Sequence, residues 1–222
     1  MNCSEVAHQT INQTEVLIYD SEVQDVHTLV DSVGPEVFTV RAKTGTVASQ
    51  IFGLLNSGAT TVHILGHGKP GQVELAGFVL DESAWEDIAT KLKFGVAGQK
   101  SSKIFGEEAG EVENNRKLEI NFWACHTGDG VMGKNYTQRV ADLCNANVNA
   151  SSDLVGHKKL GGSWELDVMT YPKIPFSASG ISAFENVLSS SPDHTVSQAE
   201  IEGGLQFANG DTYAVTGVTK EK

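Results

Sequence analysis

The chain of 222 residues is poor in cysteine: Cys3, Cys125 and Cys144 are all it has. An odd, sparse set with no CxxC pair excludes a disulfide framework and the common zinc signatures. Basic residues are scarce too. Sixteen Lys and Arg stand against 28 Asp and Glu, a net charge of −12. Nucleic-acid binding needs clustered Lys and Arg, so this balance argues against it, and against an anionic membrane surface. No apolar run reaches the ~18 residues that a spanning helix requires, so membrane insertion is not expected. Residues 1–14 are polar and lack the basic start and apolar core of a secretory signal peptide. The expectation is a soluble chain, with cytoplasmic and cell-surface placement left open. A glycine-rich phosphate loop is also missing. Val16-Leu17-Ile18-Tyr19 runs straight into Asp20-Ser21, which counts against a nucleotide-binding domain.

What is present is a strand–helix alternation. Val16 to Tyr19 predicts a buried strand. Ser21, with Gln24 three residues on, predicts a capped helix carrying Val23, Val26, Leu29, Val30 and Val33, ended by Gly34-Pro35. A second strand (Val37 to Val40), a second helix (Val47, Ile51, Leu54, Leu55) and a third strand (Thr60 to Leu65) follow. This order predicts an α/β fold: a mostly parallel sheet with helices on both faces. Gly71 to Leu80 alternates around a central Gly and predicts a small hairpin. Asp81 then caps a helix with Trp85, Ile88, Ala89 and Leu92. Residues 95–116, rich in Gly and charge, read as a long surface loop. Leu118 to Ala124 is the fourth strand, Val131 to Asn145 a helix, Val148 to Ala150 the fifth strand, and 160–171 a sixth. Ser189-Ser190-Ser191-Pro192 marks a linker. The expected organisation is a lead-in over 1–14, one domain over 15–188, and a linker with a further segment over 189–222, holding a Gly-turn hairpin between Leu205 and Val215.

In open parallel sheets, sites form outside the carboxyl ends of the strands. Asp20, His67 and Cys125 end strands one, three and four. A thiol and an imidazole there suit a nucleophile and its acid/base partner. Gly68 allows close backbone approach, and the amides of Gly68 and Cys125 are candidate oxyanion donors. Cys144, on the apolar side of its helix, reads as core packing, and His63, inside the third strand, as a packed histidine. His126 adjoins Cys125 but points to the opposite face if the strand stays extended. Asp20, Asp129 and Asp153 match no metal-binding spacing, so no metal site is assigned.

The blocks Val62-His63-Ile64-Leu65-Gly66-His67-Gly68 and Ile120-Asn121-Phe122-Trp123-Ala124-Cys125 resemble the two active-site blocks of the caspase-like cysteine peptidases. Further stretches extend the likeness: Tyr19-Asp20-Ser21, His67-Gly68-Lys69-Pro70-Gly71, Asn149-Ala150-Ser151-Ser152-Asp153 and Gly161-Gly162-Ser163-Trp164-Glu165-Leu166. Together they are similar to an uncharacterised bacterial caspase-like domain at the N-terminal end of large cadherin- or calcium-repeat surface proteins. His126-Thr127 departs from the polar pair that often follows the cysteine there. The resemblance implies a caspase-like three-layer sandwich with a six-stranded sheet. It implies His67 as general acid/base, Cys125 as nucleophile, and a specificity pocket near Asp20, Ser152 and Asp153. An acidic Asp20 would suit a basic residue at the cleaved position, or would simply cap the next helix. The expected function is a cysteine endopeptidase, self-processing, acting on a peptide or protein substrate that includes its own C-terminal passenger region. The alternative is a catalytically silent binding or secretion module. No cofactor is expected; calcium is the one metal the acidity admits, although solubility is the plainer reading of that charge.

Overall fold

A computed structural model describes residues 14–94, 118–170 and 172–189, with short strand pieces at 205–206 and 212–213. The expected lead-in before Thr14, the loop over 95–116 and Ser190-Ser191-Pro192 of the linker lie outside the described residues. β1 (Glu15–Tyr19) leads through α1 (Val26–Val30) to β2 (Val37–Arg41), and through α2 (Val47–Asn56) to β3 (Thr61–Leu65). Three short strands follow, β4 (His67–Lys69), β5 (Gln72–Leu75) and β6 (Phe78–Leu80), then α3 (Glu82–Phe94). β7 (Leu118–Trp123), α4 (Gly130–Cys144), β8 (Ala146–Ala150) and α5 (Ala178–Ala183) come after. The chain divides into two compact units, Met1–Ser190 and Ser191–Lys222. The described part of the second is an antiparallel pair, β9 (Leu205–Gln206) with β10 (Thr212–Tyr213).

The fold is α/β. Its central sheet has the order β2-β1-β3-β7-β8, every neighbouring pair parallel. The two-residue period of a strand divides its apolar residues between two cores. Val16, Ile18, Val62, Ile64, Ile120, Phe122 and Ala124 face a core shared with Ile51 and Leu55 of α2, Trp85 and Ile88 of α3, and Tyr136 and Val140 of α4. Leu17, Leu65, Trp123 and Cys125 face a second core with Val26 and Leu29 of α1 and with Val155, Leu166, Phe176, Phe184 and Leu188. A smaller antiparallel sheet, β4-β5-β6, stands at the carboxyl edge. Its β5–β6 turn places Ala76 (φ 48°) and Gly77 (φ 73°) in the left-handed region, the primed turn whose twist suits a two-residue hairpin.

Two expectations are corrected. The sixth strand over 160–171 is absent among the described residues. That stretch pairs only at isolated positions, Ser163 with Val155 and Val168 with Ala150. Its apolar alternation is real but serves another purpose. Trp164 turns onto Phe176 and Phe184, with ring centroids 5.4 and 5.7 Å away, and Leu166 joins the second core. The segment therefore covers a face instead of extending the edge. The first helix begins at Val26, behind Asp25 in the left-handed region and without a side-chain cap. The Ser21 capping box does not form because Asp20, one residue earlier, accepts the Glu22 amide at 2.9 Å. A short acidic side chain that captures a local amide holds the backbone in a turn.

Candidate active site at the carboxyl edge of the sheet

The strand ends converge by backbone hydrogen bonds. Asp20 N donates to Leu65 O at 2.9 Å, and Gly66 N to Trp123 O at 3.2 Å. These tie the ends of β1, β3 and β7 side by side. Gly68 then passes so close to the loop after β7 that a methyl group there would collide with the Cys125 carbonyl oxygen and lie 2.6 Å from Thr127 Oγ1. Gly71 N donates to Thr127 O at 3.1 Å, which fixes the β4–β5 turn to the same loop. The backbone of His67-Gly68 and that of Ala124 to Thr127 are thus neighbours. Only glycine permits this approach at position 68.

The side chains differ in how they are held. Cys125 is buried. Its Sγ accepts the Val155 amide at 3.3 Å and lies 3.7 Å from the Val155 carbonyl oxygen. His67 is half-buried, and its Nδ1 is buried with no hydrogen-bond partner among the described residues. The crevice formed by His67, Gly68, Lys69, Gln72 and Glu74 is too narrow for a water-sized molecule.

Asp20 lies at the edge, as its position predicts, but turns inward. It is 2 % exposed. One carboxylate oxygen accepts the Glu22 amide and the other the Ala76 amide at 2.7 Å. It therefore anchors the small sheet to the end of β1 and does not cap the next helix, which starts at Val26 behind Asp25. Ser152 and Asp153 sit beyond β8. The Ser152 amide and hydroxyl both donate to the Asp167 carboxylate. Burial pushes the Asp167 carboxyl up, but the Ser152 hydrogen bonds and nearby Lys134 outweigh it, and the group lies below its ordinary value. Asp153 is exposed, and its side chain accepts the Leu154 amide. His126 leaves the strand in the left-handed region (φ 57°). Its amide donates to Asp153 O at 2.9 Å, and its Nδ1 lies 3.4 Å from Ser152 O.

Four contributors escaped sequence reasoning. Val155 holds the Cys125 sulfur, and Asp167 holds Ser152; neither contact has a local signature. Arg41 and Lys43 could have been found by extending the strand-end rule to β2. With Ser21, Glu22, Thr44 and Ala76 they line a cleft of about 380 Å³. Cys144, the last residue of α4, is buried, and burial pushes its thiol up to about 11. No group of three or more His, Cys, Asp or Glu is arranged to hold a metal among the described residues. None of the described helices is long and apolar enough to cross a membrane.

His63, four residues before His67, makes a useful contrast. Its Nδ1 accepts the Trp123 indole N–H at 3.0 Å and lies 3.3 Å from the Asn121 amide nitrogen. The donation from Trp123 leaves the proton on Nε2, which faces Glu15 Oε1 at 3.1 Å. That hydrogen bond holds the Glu15 carboxyl below its ordinary value against the opposing effect of burial. Asn149 continues the chain, donating to Asn121 Oδ1 at 2.7 Å and accepting from Thr170.

A family model described as "Domain of unknown function (DUF4347)" matches residues 16–188. No curated protein and no solved structure matches the chain.

Proposed function

From the premise that the chain belongs to the DUF4347 family, whose description assigns no activity, we propose that it is a caspase-like cysteine peptidase with His67 as acid/base and Cys125 as nucleophile. Two observations carry this reading: His67 Nδ1 is buried without a partner among the described residues, and the next residue, Gly68, runs against the Cys125 carbonyl. A buried polar atom left without a partner costs about 1–3 kcal/mol. Such an atom at a strand edge calls for a functional explanation. A base that must trade a proton with a thiol and a leaving amine cannot have that nitrogen saturated by a structural partner. The amides of Gly68 and Cys125 are the proposed oxyanion donors, and Ser152 and Asp153 border the substrate path on the β8 side. The substrate is a peptide or protein, the chain's own C-terminal region included. The inward turn of Asp20 does not favour cleavage after a basic residue, because its two oxygens already accept amides.

The test is hydrolysis of a peptide library, self-cleavage included. Cys125→Ala and His67→Ala are each expected to lose on the order of 10³-fold or more in rate. Rates equal to wild type would overturn the assignment. A second reading, a catalytically silent binding module, is favoured by the burial of Cys125 and its bonds to Val155. No hydrolysis by the wild type, with Cys125 no more reactive toward an electrophilic peptide than an ordinary thiol, would leave that reading standing.

A further inference from the structure

The order β2-β1-β3-β7-β8 reverses direction at β1. β2 lies to one side of it and all later strands to the other. In open α/β sheets such a switch point leaves a crevice outside the strand ends. Here Asp20, at the end of β1, binds the Ala76 amide of the small sheet. The open space is toward β2, where the cleft of about 380 Å³ lies between Ser21, Glu22, Arg41, Lys43, Thr44 and Ala76.

The charges of that cleft are out of keeping with the rest of the chain. The net charge is −12; Arg139 pairs with Glu82 and Glu86, and Lys173 with Glu36. Among the described residues, neither Arg41 nor Lys43 has a carboxylate within ion-pair distance. Arg41 Nε donates to Ser21 Oγ at 3.0 Å, which orients the guanidinium and leaves its two terminal nitrogens for a ligand. A planar guanidinium and a point ammonium on one wall match a carboxylate. Glu22 is the one acid lining the cleft.

We propose that this cleft takes the carboxylate of a Glu or Asp side chain in an extended peptide, three to four residues from the bond presented to Cys125. The spacing follows from the sheet. Neighbouring strands are ~4.8 Å apart, so the β1–β2 ends lie roughly 10–15 Å from the end of β7. An extended peptide crossing the strand ends covers that span in about three to four residues at ~3.3 Å each. The spacing rests on the peptidase reading above; the charge recognition does not.

The two are separated by measuring binding without turnover. Fluorescently labelled octapeptides carrying one Glu, or Gln in its place, are titrated against the full chain bearing Cys125→Ala. Glu peptides are expected to bind roughly tenfold tighter at low salt, as two exposed ion pairs allow. The preference should vanish in Arg41→Gln/Lys43→Gln, grow in Glu22→Gln, and fade as salt rises. All three positions are exposed, and unchanged thermal unfolding checks that the variants fold. Equal binding of Glu and Gln peptides, no binding of either, or a preference that survives the double substitution overturns the proposal. With the wild-type chain, cleavage should be fastest when Glu stands three or four residues from the cut, and a maximum elsewhere overturns the spacing. If nothing is cleaved while the Glu preference holds, the peptidase reading and the spacing fall together and the anion cleft stands.

Discussion

β3 carries His63 in its middle and delivers His67 just past its end, and the protein treats them in opposite ways. His63 is 1 % exposed and has partners on both ring nitrogens, Trp123 and Asn121 on one side and Glu15 on the other. It is the centre of a polar row that crosses four neighbouring strands, from Glu15 through Asn121 to Asn149. His67 keeps a buried nitrogen with nothing to bond among the described residues. The same residue type, on one short stretch of chain, is a structural strut in one place and a candidate acid/base in the other. The difference lies in saturation: a ring whose hydrogen bonds are complete has no capacity left for chemistry, and one left incomplete at a cost has it.

That contrast can be broken by experiment. The largest effect is expected for His63→Ala. It would strand the Trp123 indole N–H and the Asn121 amide inside the sheet and open a cavity, a loss of about 3 kcal/mol or more. Denaturant unfolding measures it, and a loss under 1 kcal/mol would mean the row contributes little. Gly68→Ala comes next, at about 1–3 kcal/mol, because the new methyl must push the Cys125 carbonyl, the Ala124 methyl and the Thr127 hydroxyl aside. His67→Leu sharpens the comparison. Removing an unsatisfied nitrogen should leave stability within about 1 kcal/mol of wild type or raise it, while peptidase activity disappears. A large destabilisation would give His67 the structural role of His63.

Two smaller effects concern titration. Cys144, with its thiol near 11, should alkylate at neutral pH roughly a hundredfold more slowly than an ordinary buried-free peptide thiol, by its thiolate fraction alone. Mass-resolved labelling reads this directly, and fast modification of Cys144 would show that α4 opens. Glu15 is the smallest. Its folded carboxyl lies below the unfolded value, so its contribution is present above roughly pH 4.3 and is lost as pH falls through the lower folded value. The gap between wild type and Glu15→Gln should therefore be constant from pH 7 to about 5 and close only below about pH 4. A gap that widens on acidification would contradict a Glu15 carboxyl held below its ordinary value.

Much of this arrangement was legible in the chain itself. Apolar alternation and helix punctuation give the parallel sheet, its helices and the β5–β6 hairpin, because strand and helix periods are local properties of the sequence. Strand ends give His67 and Cys125 as candidates, because α/β sheets collect their sites at that edge. The tertiary structure decided what each group is free to do. Asp20 ends a strand like the others, yet the Ala76 amide, 56 residues away, occupies one of its oxygens. Cys125 meets Val155 across 30 residues. The stretch 160–170 alternates like a strand and is drawn off by Phe176 and Phe184 to cover a face. Hydrogen-bond saturation and burial are set by long-range partners that no local pattern encodes, and they separate His67 from His63.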